Sequence, residues 1–128
     1  MFEGSEYLET KQLPLKEIAK RAKAEILEKY PEIKVSVRTR DYNAIDVEIT
    51  AIPKDFQPLK RVKLDQNLPY TTINHSDAGQ QLLNDIENIL DVYNRKDIEI
   101  ETDYCNVRFF TYVRYSFQIS QEAQKLLA

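Results

Sequence analysis

Two runs of strict alternation, separated by three turn residues, leave this chain little choice over residues 33–51. Ile33, Val35 and Val37 fall on one side of the first run, with Lys34, Ser36, Arg38 and Arg40 on the other. Ile45, Val47, Ile49 and Ala51 alternate in the same way against Asp46, Glu48 and Thr50. A period of two sends successive side chains to opposite faces of a strand, and Asp41-Tyr42-Asn43 between the runs is turn chemistry. A β-hairpin with one apolar face is predicted. Ahead of it, Leu15, Ile18, Ala19, Ala22, Ile26 and Tyr30 recur at helical spacing, after Pro14, which suits a first helical turn, and before Pro31, which ends one.

The same order returns further along. Asp77 is placed to N-cap a helix whose stripe is Leu82, Leu83, Ile86, Ile89, Leu90 and Tyr93. Ile98 and Ile100 then alternate with Glu99 and Glu101, Asp103-Tyr104-Cys105-Asn106 reads as a turn, and Val107 to Phe117 reads as the longest strand. Ser120 is placed to N-cap a short last helix over 120–127 carrying Ala123, Leu126 and Leu127. Tyr30 and Tyr93 end the two long helices, and both turns begin Asp-Tyr with an Asn within two residues, a pattern-level echo of an internal duplication.

The expectation is one α+β domain built from two α-β-β units, 10–52 and 77–117. Their strands would form a single four-stranded antiparallel sheet with both helices on one face, a circular permutation of the ferredoxin-like layout. The apolar second and fourth strands would be central and the charged first and third strands edges. Residues 53–76 contain Pro53, Pro58 and Pro69, a basic cluster of Lys60, Arg61 and Lys63, and no sustained period, so they read as a long connection. Connections of that length are usually functional or mobile.

Composition narrows the class. With 42% hydrophobic and 30% charged residues and a mean hydropathy of -0.55, the 128 residues match a folded domain with one core. Apolar runs are short and Met1 to Glu9 is acidic, so a cytoplasmic chain with no membrane segment is expected. Cys105 is the sole cysteine, which suits a reducing compartment and removes cysteine-based zinc motifs; its expected place is as a small filler at a strand end. Two glycines, Gly4 and Gly79, cannot build a phosphate loop. The net charge of -3 is uneven: Lys and Arg number 13 against 11 Asp and Glu in residues 1–64, and 5 against 10 in residues 65–128. An overall acidic chain is not a default nucleic-acid binder.

Two stretches carry a family resemblance. Glu17-Ile18-Ala19 through Tyr30-Pro31-Glu32-Ile33-Lys34-Val35-Ser36-Val37-Arg38, and Thr102-Asp103-Tyr104 with Val107-Arg108-Phe109-Phe110, resemble the large polyvalent protein-associated domains of phages and conjugative elements, the type numbered twenty-nine. The resemblance implies a mobile genetic element as context and an accessory factor, such as an inhibitor of a host defence complex, as role. It brings no catalytic residues and no cofactor.

Among residues able to do chemistry, His75 is the single histidine, next to a helix start, where Asp77 could orient it as a base; no nucleophile motif accompanies it, and a loop residue near a cap is the plainer reading. Asp41 and Asp103 could pair at a metal, but aspartate is also favoured in turns. The last strand is more informative. Its alternation puts Val107, Phe109, Thr111, Val113, Tyr115 and Phe117 on the core side and Arg108, Phe110, Tyr112 and Arg114 on the other, joined there by Lys34, Arg38 and Arg40 from the first strand. Lys60, Arg61 and Lys63 would extend the basic side, while Glu99 and Glu101 would make the opposite edge acidic. Three readings fit: a protein interface, where Tyr, Phe and Arg are the usual anchors; a single-stranded nucleic-acid platform on which bases stack; or a face covered by the chain itself. A charge-polarised face favours a host protein partner or a self-complementary homodimer over a nucleic-acid track.

Overall fold

Helix α2 (Leu15–Lys29) and strands β2 (Lys34–Arg40) and β3 (Ala44–Ala51) follow the periodicities just described. The computed structural model describes residues 1–41, 43–63, 67, 69–99 and 104–127. Pro14 sits at the N-cap of α2, and Ile18, Ala19, Ala22 and Ile26 form its buried stripe. Tyr30 leaves helical geometry at the C-cap, since the residue before a proline is pushed out of the α region. β2 and β3 pair antiparallel with Val37 opposite Val47. Asp41 begins the turn at φ 53, a left-handed conformation that aspartate tolerates better than most residues.

The protein is α+β, with four helices and eight strands among the described residues. The strands do not form the single four-stranded antiparallel sheet that the pattern suggested. They form three small sheets, ordered β1-β6-β7, β2-β3-β8 and β4-β5, and β3 pairs with β8 (Phe110–Tyr115) in parallel. β3 is central as expected, but β8 is an edge. The expected third strand is β6 (Arg95–Glu99), which lies in another sheet between β1 (Phe2–Glu3) and β7 (Tyr104–Val107). Glu99 is therefore not at an edge of the β2-β3-β8 sheet, and Glu101 lies outside the described residues.

The run Val107 to Phe117 is broken twice. It leaves β7 at Arg108, resumes as β8 at Phe110, and gives way at Phe117 to helix α4 (Phe117–Leu127). Burial still alternates through the first break, with Phe109 enclosed and Phe110 exposed. The sequence period therefore carries no trace of it. α4 begins three residues earlier than expected, because Ser116, not Ser120, supplies the capping oxygen, accepting from the Ile119 amide at 3.2 Å. Helix α3 (Asp77–Asp91) is likewise capped by Ser76, whose Oγ accepts from the Gly79 amide at 3.0 Å.

Residues 53–76 hold regular structure as well: β4 (Leu59–Lys63) and β5 (Thr71–His75) pair antiparallel. Alternating hydrophobicity marks a strand only where one face is buried, and here Leu59 is buried while Lys60, Arg61, Lys63, Thr71, Asn74 and His75 are exposed. The short helix α1 (Tyr7–Thr10) and β1 complete the elements, neither announced by a periodic run.

One contiguous core joins α2, α3, the inner faces of β2 and β3, and the Phe109, Tyr115 and Ile119 side chains. Two short hydrogen bonds, Tyr30 to Asp85 and Tyr93 to Glu25, clasp α2 to α3. None of the helices is long and apolar enough to cross a membrane, among the described residues.

Gly79 is required by close approach. A Cβ there would overlap the Pro58 carbonyl, because the first turn of α3 rests on the backbone leading into β4. Gly79→Ala is expected to cost about 1–3 kcal/mol in chemical denaturation through overpacking, with the β4-β5 ribbon losing amide protection first. An unchanged denaturation midpoint would show that the contact is slack.

Candidate functional site

Across the β2-β3-β8 sheet the registers align three rows: Ser36, Glu48 and Arg114; Arg38, Asp46 and Tyr112; Arg40, Ala44 and Phe110. All nine lie at positions opposite the core-facing Val35, Val37, Ile45, Val47 and Ile49. Phe110 and Tyr112 are 43% and 46% exposed, large values for aromatic side chains on a sheet. Arg38 and Arg40 are also exposed.

The charges of this face are arranged, not scattered. Arg114 forks between two carboxylates of β3, with one nitrogen in a short contact to Asp46 and the other 2.9 Å from Glu48. Arg40 reaches over from β2 to within 3.7 Å of Asp46, and its guanidinium carbon lies 5.1 Å from the centre of the Tyr112 ring. Asp46 is almost enclosed beneath them. A bidentate arginine and a cation over an aromatic ring both lower the freedom of long side chains, so Arg114 is fixed on β3 and Tyr112 is packed under Arg40. Arg38 makes no ion pair among the described residues and shares a shallow groove with Lys16 and Lys20 of α2. Those two lysines extend the basic edge; nothing in the sequence pattern linked them to β2, because they sit on the solvent side of α2.

Arg108 is elsewhere. The alternation placed it on the open face, but it occupies the break between β7 and β8 and its guanidinium turns into the protein. It donates to the carbonyls of Thr10 (a short contact), Tyr93 (2.8 Å) and Leu13 (3.3 Å) and to Thr10 Oγ1 (3.0 Å), and it stacks 5.5 Å from the Tyr7 ring centre. Burial lowers its pKa from the ordinary arginine value. Its role is structural, tying α1 and the following loop to the end of α3.

Lys60, Arg61 and Lys63 stand on the β4-β5 ribbon, away from the three aligned rows. Lys60 pairs with Asp77 at 3.3 Å, and Arg61 donates to Thr71 Oγ1 (3.2 Å) and to the Leu127 carbonyl (3.0 Å) near the C-terminal end of α4, where a cation is favoured. Asp77 thus faces Lys60 and does not orient His75. The His75 ring contacts Gln80 Oε1 through Nδ1 at 3.2 Å and tilts against Tyr115, 5.8 Å between centres. Asp41 stands at an exposed turn, Asp103 lies outside the described residues, and Cys105 belongs to β7.

A second concavity of about 220 Å³ opens between the end of α2 and the start of α3, lined by Tyr30, Ile33, Pro53, Phe56 and Leu82 with Glu32 and Asp85 at its polar part. Burial, then the bond to Asp85, pushes the Tyr30 hydroxyl up to about 12, and the same bond holds Asp85 below the usual carboxylate range. The volume falls below the ~300 Å³ at which ligand pockets usually begin. The cleft gathers residues from three separate segments, 30–33, 53–56 and 78–85, which no local pattern links.

Comparison with known proteins adds no relative. No family model matches the chain, and searches of curated proteins and of solved structures return no match. The functional reading therefore rests on the geometry of the sheet face.

Arg108→Ala would leave three carbonyls without their donor. A loss of about 1.5–3 kcal/mol in denaturation is expected, the range for hydrogen bonds to charged groups. Arg108→Lys should recover little of it, because the acceptors are shared between two guanidinium nitrogens and a single ammonium nitrogen does not occupy both positions. Wild-type stability in Arg108→Ala would refute the structural role.

Proposed function

We propose that this chain is a non-enzymatic protein-interaction module that binds its partner through the face centred on Phe110 and Tyr112, with Arg38, Arg40 and Arg114 around them. The observation that carries this reading is the pairing of exposed aromatics with two arginines, Arg40 and Arg114, that are already neutralised. Two exposed aromatics side by side are the kind of patch that marks a contact site, and Tyr, Phe and Arg are the residues most enriched at protein interfaces. Packing Tyr112 under Arg40, which Asp46 in turn holds, reduces the ordering cost of binding.

Single-stranded nucleic acid is the alternative for such a surface, since bases stack on aromatic rings. Asp46 and Glu48 weigh against it. Phosphate binding draws on uncompensated cations, and here the carboxylates at the middle of the face engage Arg114 and Arg40. The family resemblance in the sequence suggests the setting: a mobile genetic element, with a component of a host defence complex in the cytoplasm as the protein inhibited.

Affinity capture from host lysate with the wild type and with Phe110→Ala combined with Tyr112→Ala, each with and without nuclease, tests the reading. Both side chains are about half exposed, so the double variant should keep wild-type thermal stability to within about 1 kcal/mol. The expected result is a protein recovered by wild type alone, nuclease or not. Recovery that nuclease abolishes would transfer the face to nucleic acid, and equal recovery by both baits would remove it as the site.

A further inference from the structure

Beside the aromatic face runs a groove of about 480 Å³, walled by Gln80, Leu83 and Glu87 of α3 on one side and by Thr111 to Arg114 of β8 on the other, with His75 of β5 and the Arg40 side chain also on its lining. Its floor is the free edge of the sheet. The Phe110 amide donates to the Asn43 carbonyl at 2.7 Å and the Ser116 amide to the Ile49 carbonyl at 2.9 Å. With a period of two, the even residues of β8 turn their backbone groups toward β3, and Thr111 and Val113 turn theirs away from it. β8 ends its sheet, and among the described residues no backbone or side-chain group bonds those outward amides and carbonyls.

We infer that this groove receives an extended segment of a partner protein, which adds to β8 as a fourth strand. The inference rests on the protein-interaction reading of the adjoining face and names the form the partner takes. Three observations support it. Packed helices lie about 8–10 Å apart and strands about 4.8 Å apart, so a pair of helices spans roughly four strands; α2 and α3 share one face of a sheet that has three. The two edges also differ in protection. β2 carries Lys34, Arg38 and Arg40, charges that discourage strand pairing, whereas β8 carries the single charge Arg114, itself tied to Asp46 and Glu48, and no lysine or proline. Finally, Glu87 on the α3 wall makes no ion pair among the described residues, whereas Arg40 and Arg114, which also line the groove, are already tied to Asp46 and, for Arg114, to Glu48.

Tyr115 bonds through its hydroxyl to the Gly79 carbonyl and Asn94 bonds to Phe109, so α3 runs antiparallel to β8, with Glu87 toward Thr111 and Gln80 toward Tyr115. The complementary segment alternates apolar side chains, which meet Leu83, with polar ones beside Tyr112, and carries a Lys or Arg near Glu87. A second copy of this chain does not fit as occupant. Its β8 would bring its own α3 within about one strand spacing of the first, closer than two helices pack.

The probe is a phage-displayed library of random ten-residue peptides selected on the wild-type chain, followed by amide exchange of the chain with the best synthetic binder. Alternating sequences with a basic residue are expected, and binding should slow exchange at Thr111 and Val113 by at least about tenfold. Val113→Pro deletes one outward amide and no ladder bond to β3, and should weaken that peptide about tenfold or more. No selected binder, or a binder that leaves Thr111 and Val113 exchange unchanged, overturns the inference even if that variant fails to fold. A binder that perturbs only Phe110 and Tyr112 overturns the added strand while leaving the protein-interaction reading in place.

Discussion

The fold turns on how the chain is held where β7 gives way to β8. Asn94 is fully enclosed, and its side-chain amide treats Phe109 as a strand neighbour would, donating to the Phe109 carbonyl at 3.0 Å and accepting from its amide at 3.3 Å. The adjacent Arg108 fills the remaining acceptors of α1, the following loop and Tyr93. A break in a strand normally strands polar groups in the interior. Here two side chains satisfy them, so one continuous run of alternating residues can serve two sheets and Phe109 can enter the core.

That junction also decides what the open face can be. If the run had stayed whole, Arg108 would have joined Phe110, Tyr112 and Arg114 as a fourth outward residue. With Arg108 withdrawn, the face keeps three arginines against two carboxylates, and Asp46 lies under Arg114 and Arg40 as their common counter-charge. The result is an aromatic surface with a nearly balanced charge set, in which the basic excess sits to one side at Arg38, Lys16 and Lys20.

What could be read in the sequence was the part governed by burial on one face. α2, the β2-β3 hairpin, α3, and the outward positions of Phe110, Tyr112 and Arg114 all follow from period. Three features do not. The β4-β5 ribbon is polar on almost every exposed position and so resembles a loop. The break at Arg108 preserves parity, which makes it invisible to alternation. The parallel pairing of β3 with β8 depends on where the chain goes between them, and no local pattern reports that. The ion pairs of the face were equally hidden, because Asp46 and Glu48 looked like ordinary solvent-side residues until the register set them beside Arg114.

The parallel β3-β8 pairing has a kinetic side. The β2-β3 hairpin closes through a turn of a few residues, but Ala44 pairs with Phe110 across a stretch of chain that includes the ribbon, α3 and the β6-β7 pair. Closing so large a loop is entropically costly before its contacts form, and non-local pairings of this kind slow folding. A β2-β3 hairpin formed ahead of that closure has one edge of β3 empty, so the strand that ends in the middle of the sheet is an edge until β8 joins it.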